Sequence, residues 1–193
     1  MDAQRETQAV TRRGFVAGTA AATALAGLDA GRFAHAAGNE ELRAVLIGCG
    51  GRGTGAVDNF LKNHSVKMVA VADLFEDKAK KTAAKLNLPP DMAFSGFNAF
   101  QKVLAVDCNY VIIATPPGFR PIHYDAAIRA GKHVFMEKPC CVDAPGYRTL
   151  VAANAEARRK KLSVVVGLQR RHQQNYLEGI KKIRDGAVGE VRL

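Results

Sequence analysis

The chain has 193 residues and a formal charge of +10, from 28 Lys and Arg against 18 Asp and Glu. These basic residues are scattered and do not form a continuous face with interleaved aromatics, so the composition argues against nucleic-acid binding. The four cysteines have no metal-ligand spacing and are too few for a disulfide scaffold, and the 48% hydrophobic content is ordinary for a globular protein.

Residues 1–36 are predicted to be a twin-arginine export signal. Arg12 and Arg13 precede an uncharged, mildly apolar run over residues 14–28, which is 15 residues long and too short to span a bilayer. Ala34-His35-Ala36 is a small-x-small cleavage site, so the mature chain is expected to begin at Ala37. The alternative is an alanine-rich amphipathic or core helix. The signal predicts that the protein uses the twin-arginine machinery and is periplasmic or otherwise exported. After cleavage of the signal, no membrane anchor is expected to remain.

A glycine-rich turn follows the first predicted strand, Arg43–Ile47. The motif is Gly48-Cys49-Gly50-Gly51-Arg52-Gly53, and a helix is predicted directly after it over Thr54–Lys62. In such a G-x-G-x-x-G motif the first glycine permits the tight turn, the second admits a pyrophosphate, and the third lets helix and strand pack closely. Unpaired N–H groups at the helix start favour phosphate binding. The alternative is a turn whose glycines serve packing alone.

An acidic residue in register with this motif argues against packing alone. Asp73 ends the second predicted strand, 20 residues beyond Gly53, where a carboxylate can bind a ribose 2′-hydroxyl. A 2′-phosphate would meet like charge there, and Leu74-Phe75 provides no cation. The sequence therefore predicts NAD as the cofactor, with NADP less favoured.

Strands and helices alternate along the rest of the chain, which predicts an α/β fold with a doubly wound parallel sheet, a Rossmann domain over residues 37–168. Residues 169–193 are predicted to hold a connecting helix through Arg184 and the first strand, Val188–Leu193, of a truncated second α/β domain. The further predicted strands are Val66–Ala72, Ala93–Phe97, Tyr110–Ala114, Lys132–Met136 and Ser163–Gly167. The further predicted helices are Glu76–Leu86, Asn98–Ala105, Pro121–Ala130 and one from Asp143, as its N-cap, to about Lys160.

In the strand order 3-2-1-4-5-6, ligands bind at the carboxyl ends of strands one and four. The nicotinamide would then extend over the ends of strands four to six, which carry Thr115-Pro116, Glu137-Lys138-Pro139 and Gln169–His172. A lysine beside the nicotinamide can hydrogen-bond a substrate hydroxyl or carbonyl and assist proton transfer, and Glu137 can orient it. The alternative is a surface Glu-Lys pair before a helix.

The glycine motif, Ala114-Thr115-Pro116 with His123 further on, and the run from Ala130 to Glu137-Lys138-Pro139 resemble the glucose–fructose oxidoreductase, inositol dehydrogenase and rhizopine-catabolism family (Gfo/Idh/MocA). The resemblance implies an NAD(P)-dependent oxidoreductase acting on sugars, polyols or their derivatives, with Lys138 at the hydride-transfer centre and His123 near the crevice. Some members are NAD-dependent glycosidases instead, and a non-catalytic dinucleotide-binding protein is a third possibility. We expect a homo-oligomer at full length, and we expect these 193 residues alone to be catalytically incomplete.

The candidate catalytic residues are thus Lys138 and Glu137, and no metal site is predicted. The candidate cofactor-binding residues are Gly48, Gly50, Gly51, Arg52, Gly53, Asp73, Thr115, Pro116, His123, Glu137 and Lys138.

Overall fold

The computed structural model describes residues 41–63 and 66–190, which contain a six-stranded parallel sheet in the order β3-β2-β1-β4-β5-β6. This order confirms the predicted doubly wound sheet. The strands are β1 (Leu42–Ile47), β2 (Val66–Asp73), β3 (Ala93–Ser95), β4 (Tyr110–Ile113), β5 (His133–Glu137) and β6 (Val164–Gly167). The helices are α1 (Gly51–Asn63), α2 (Glu76–Lys85), α3 (Ala99–Leu104), α4 (Arg120–Arg129), α5 (Ala144–Arg159) and α6 (Gln174–Arg184), with short 3₁₀ turns at Pro90–Met92 and Gln169–Arg171.

The two central strands are buried on both faces. Val45 and Ile47 of β1 pack into one core layer, whereas Ala44 and Leu46 pack into the other. This follows from the alternation of side chains along a strand, and it explains why the central strands of a parallel sheet are apolar at every position. The rigid centre fixes the carboxyl ends of β1 and β4 side by side, with Ile47 in register with Ile113.

The predicted turn and cap signals are present in the structure. Asp143 caps α5, because its side chain accepts a hydrogen bond from the Gly146 N–H at 2.7 Å. Gly131, the predicted stop signal after α4, has a φ of +71°, which glycine adopts without strain. Within residues 41–63 and 66–190, no helix is both long enough and apolar enough to cross a bilayer.

Several predicted element ends are shifted by one or two residues, and two predicted elements differ more from the structure. Helix α1 begins at Gly51, three residues before the predicted Thr54, because the Thr54 N–H already donates to the Gly50 carbonyl at 3.0 Å and closes the first turn. The predicted strand at Val188–Leu193 is not seen where it can be checked, since residues 188–190 are turn and coil and residues 191–193 are not described. The export signal and its cleavage site also lie outside the described residues.

Candidate functional site

A cavity of about 450 Å³ lies where β1, β2 and β4 end. The loops after these three strands supply its walls, together with aromatic side chains such as Phe75, Phe97 and Phe100. It lies at the point where the strand order reverses, which is the place where ligands bind in this fold. The candidate cofactor residues that line it are Gly48, Gly50, Gly51, Arg52, Asp73, Thr115, Pro116 and His123.

The three motif glycines have different surroundings. Gly48 has a φ of +102°, and a Cβ there would lie 2.7 Å from the Thr115 nitrogen. A Cβ on Gly53 would lie 2.0 Å from the Gly48 carbonyl oxygen, so only glycine lets α1 pack this close to β1. A Cβ on Gly50 would meet no atom within 4 Å. Gly50 therefore faces open space at the start of α1, where unpaired N–H groups and the positive end of the helix dipole favour a phosphate.

Asp73, at the end of β2, stabilises the glycine turn through a hydrogen bond. Its Oδ2 accepts a hydrogen bond from the Cys49 N–H at 2.7 Å, and its Oδ1 accepts one from the Phe75 N–H at 3.0 Å. Each carboxylate oxygen can accept a further hydrogen bond, so this anchoring leaves Asp73 able to accept a ribose hydroxyl. The side chain thus holds the turn and presents its charge to the cavity at the same time.

Cofactor preference should depend on the Asp73 charge. The wild-type chain is expected to bind NAD more tightly than NADP, because a 2′-phosphate beside this carboxylate costs several kcal/mol. Asp73→Asn removes the charge at constant size and should reduce the preference at least about tenfold, which corresponds to about 1.4 kcal/mol. Calorimetric titration of both dinucleotides measures it, with Asp91→Asn as an exposed control. An unchanged NAD to NADP ratio in Asp73→Asn would remove this role.

Arg52 and Glu137 form an ion pair across the crevice. Arg52 Nη2 lies 2.6 Å from Glu137 Oε1, and the Glu137 side chain is only 2% exposed whereas that of Arg52 is 49% exposed. The two groups form an ion pair, but their geometry is not that of a hydrogen bond. Gly167 of β6 makes the space for this carboxylate, since a Cβ there would lie 2.9 Å from Oε1. Glu137 is therefore paired with the glycine turn, and its predicted orienting of Lys138 stays a prediction.

Loss of this ion pair should destabilise the fold. Arg52→Ala leaves a buried carboxylate without its cation, which costs about 2 kcal/mol in the free energy of unfolding. Adding Glu137→Gln should recover part of that loss, since the amide carries no charge. Urea unfolding measures both variants, and Lys181→Ala, which breaks an exposed pair with Asp185, is the matched control with a smaller expected effect. Equal effects for Arg52→Ala and Lys181→Ala would contradict the argument.

His123 is packed against the cavity wall as a neutral ring. Its Nδ1 lies 3.0 Å from Thr115 Oγ1, and its ring centroid lies 4.7 Å from that of Phe100. Burial lowers the pKa of His123 to about 4, so the imidazole carries no charge at neutral pH. The family resemblance implied a place for His123 near the crevice, and the structure puts it in the cavity wall beside Thr115.

Arg120 is a buried residue at the site that sequence reasoning missed. It is 6% exposed, it lines the cavity, and its Nε donates to the Thr115 carbonyl at 2.7 Å. Burial lowers the pKa of the guanidinium, and the charge of nearby Glu137 acts in the opposite direction. One signal in the sequence could have revealed it, because a cation in the first turn of a helix opposes the helix dipole and needs a local reason.

Lys138 lies beyond the end of β5 and does not line the cavity that holds the glycine turn. It is exposed and lines a second cavity of about 390 Å³ together with Leu168, Gln169, Arg170 and Arg171. The Lys138–Pro139 peptide bond is cis. Residues 41–63 and 66–190 contain no cluster of His, Cys, Asp or Glu suited to a metal ion.

The parallel sheet, the glycine turn at the strand reversal and the acidic end of β2 together define a dinucleotide-binding protein of the Rossmann class. The sequence model of the Gfo/Idh/MocA oxidoreductase family, described as having an NAD-binding Rossmann fold, matches residues 42–168. The chain belongs to this family, and its described part contains an NAD-binding Rossmann domain.

Individual relatives agree with this assignment. Inositol 2-dehydrogenase of Serratia proteamaculans is 33% identical over 155 residues, covering 76% of this chain and 44% of that protein. A glycosyl hydrolase family 109 protein of Streptomyces coelicolor is 26% identical over 212 residues, covering 96% of this chain and 44% of that protein. The matched part therefore covers less than half the length of each of these two relatives.

Solved structures share the fold. An NAD-binding protein from Listeria innocua matches with a TM-score of 0.64 and 26% identity, over 78% of this chain and 42% of that one. Scyllo-inositol dehydrogenase from Lactobacillus casei, with bound NAD(H) and scyllo-inositol, matches with a TM-score of 0.64 and 21% identity, over 78% of this chain and 43% of that one. The second likeness concerns the fold alone.

Proposed function

We propose that the protein is an NAD-dependent oxidoreductase that moves a hydride between the nicotinamide and a sugar, a polyol or a derivative. The observation that carries the proposal is the placement of Asp73 and Lys138 along one edge of the sheet. Asp73 ends β2 beside the glycine turn, and Lys138 follows β5 on the other side of the strand reversal. Relatives named inositol 2-dehydrogenase support the substrate class.

The residues on this edge have distinct tasks in the proposed reaction. Gly50 and the start of α1 would hold the diphosphate, Asp73 the adenosine ribose, and the wall at Thr115 and Pro116 the part of the cofactor that crosses β4. The bound nicotinamide supplies the hydride acceptor or donor. Lys138 would hydrogen-bond the reacting hydroxyl or carbonyl of the substrate and assist its proton transfer, which is worth about 10²–10⁴-fold in rate.

Product analysis distinguishes this proposal from a glycosidase on the same scaffold. The second candidate is favoured by the relative named as a glycosyl hydrolase, whose match covers 96% of this chain. The protein as its gene encodes it would be incubated with NAD and either myo-inositol or an aryl glycoside. Net NADH formation with the polyol supports the oxidoreductase, and aglycone release without net NADH supports the glycosidase. Binding of NAD without either reaction, across a polyol and glycoside panel, would support a non-catalytic binding protein.

We further propose that the 193 residues alone bind NAD without turning over substrate. The support is the length of the relatives, which are more than twice as long as the part they share with this chain, and the exposure of Lys138. Orientation of the reactants contributes about 7–11 kcal/mol to many enzymatic rates, and an open half-site would lose most of it. Polyol turnover by this polypeptide that disappears in Lys138→Ala would overturn the proposal.

We propose that the protein is exported through the twin-arginine route and functions in the periplasm or outside the cell. The support is the Arg12-Arg13 pair ahead of an uncharged run and a small-x-small cleavage site.

Export should depend on the arginine pair. Replacing Arg12 and Arg13 together by Lys keeps the charge and is expected to hold the protein in the cytoplasm with its signal uncleaved. Cell fractionation with immunoblotting measures both location and size, and Arg5→Lys is the matched control. A periplasmic product of mature size from the double variant would show that the signal was misread.

A further inference from the structure

Arg120 occupies a position that is unfavourable for a cation. It is the first residue of α4, where the helix dipole presents its positive end, and it is 6% exposed. A buried charge at this end of a helix has to be compensated by specific contacts. No acidic residue lies in the first turn of α4. The compensation must therefore come from other elements.

Three backbone carbonyl groups provide it, together with the charge of the nearby Glu137 carboxylate. The guanidinium donates to the Thr115 carbonyl after β4, to the Glu137 carbonyl at 2.8 Å and to the Pro139 carbonyl. The last two carbonyls belong to the residues on either side of Lys138. One side chain, fixed on α4, therefore holds both flanks of the lysine and joins them to the loop that follows β4.

We propose that Arg120 is a positioning residue that fixes Lys138 relative to the bound cofactor. The inference rests on the proposed role of Lys138 beside the nicotinamide. Thr115 lines the cavity that contains the glycine turn, so the same guanidinium touches the cofactor wall and the lysine-bearing turn. Arginine suits this task because its planar fork donates in several fixed directions at once, whereas the compact ammonium of lysine does not.

The test follows Lys138 by NMR at saturating NAD. Lysine amines of the full-length protein are labelled by reductive ¹³C-dimethylation, which keeps their charge, and the Lys138 signal is assigned with Lys138→Arg. Arg120→Met removes all the donors at similar length, and Arg120→Lys keeps the charge. Arg129→Met is the matched control on the same helix, where the arginine is exposed and pairs with Asp125.

In the wild type and in Arg129→Met, NAD is expected to shift the Lys138 signal. In both Arg120 variants the shift should fall to less than half, although NAD still saturates the site. A full shift in both Arg120 variants would overturn the inference. If neither variant folds, as judged by circular dichroism, Arg120 serves the fold alone and the inference is equally overturned. Absence of a shift in the wild type would instead remove the proposed place of Lys138 beside the nicotinamide.

Discussion

Gly53→Ala is expected to abolish tight NAD binding and to destabilise the fold. The added Cβ would lie 2.0 Å from the Gly48 carbonyl oxygen and 3.1 Å from the Ala114 Cβ, so α1 must move away from β1. Such overpacking against backbone costs about 3 kcal/mol in the free energy of unfolding. If the displaced glycine turn weakens the free energy of NAD binding by the same amount, NAD affinity falls about 150-fold. Urea unfolding and calorimetry measure the two effects.

Two neighbouring glycines provide matched controls for Gly53→Ala. A Cβ added at Gly50 or at Gly55 would meet no atom within 4 Å. Gly55→Ala lies within α1 and should stabilise the fold by about 0.5–1 kcal/mol with NAD binding retained. Gly50→Ala should fold normally and still weaken NAD, because its methyl group occupies the space into which the pyrophosphate approaches. Equal NAD affinity in Gly50→Ala and Gly55→Ala would contradict the placement of the diphosphate.

Lys138→Ala is expected to reduce substrate turnover about 10²–10⁴-fold, which is the usual contribution of a positioned acid or base. The side chain is exposed and the described part of the chain shows no ion pair for it, so the fold should be unaffected. NAD affinity should change only a few-fold, because the glycine turn and Asp73 lie on the other side of the strand reversal. Steady-state NADH formation measures the effect in the protein as its gene encodes it.

Lys102→Ala, an exposed lysine of α3, is the matched control for Lys138→Ala and should keep wild-type turnover. Equal turnover in Lys138→Ala and Lys102→Ala would exclude Lys138 from the reaction. Loss of NAD binding in Lys138→Ala would instead show that the lysine serves the cofactor alone.

The strands of this fold were predictable because a buried strand requires a run of apolar residues, which can be recognised in the sequence. The β4 run Tyr110–Ile113 is apolar at nearly every position, and a strand covered by helices on both faces requires that pattern. The glycine motif likewise predicted a tight turn at Gly48 and close packing of helix on strand at Gly53, and the close contacts that a Cβ would make at these two positions agree with that. Both signals lie within short stretches of sequence, so they can be recognised without knowledge of the tertiary structure.

Contacts between distant segments were not predictable in the same way. Arg52 and Glu137 are far apart in sequence, and only the adjacency of β1, β4 and β5 brings the glycine turn near the end of β5. Arg120 binds main-chain carbonyl groups. Because every residue has such a group, the sequence does not indicate which residues Arg120 contacts. The anchoring of Cys49 by Asp73 was missed for the same reason.

One dinucleotide is expected to lie along the sheet edge from Asp73 to Lys138. A crystal structure of the protein with NAD tests it most directly. The expected result places the diphosphate against the N–H groups at the start of α1, the adenosine ribose within hydrogen-bond distance of the Asp73 carboxylate, and the nicotinamide ring beside Lys138. A complex with the diphosphate away from the Gly48–Gly53 turn, or with the nicotinamide ring on the Asp73 side of the crevice, would contradict it.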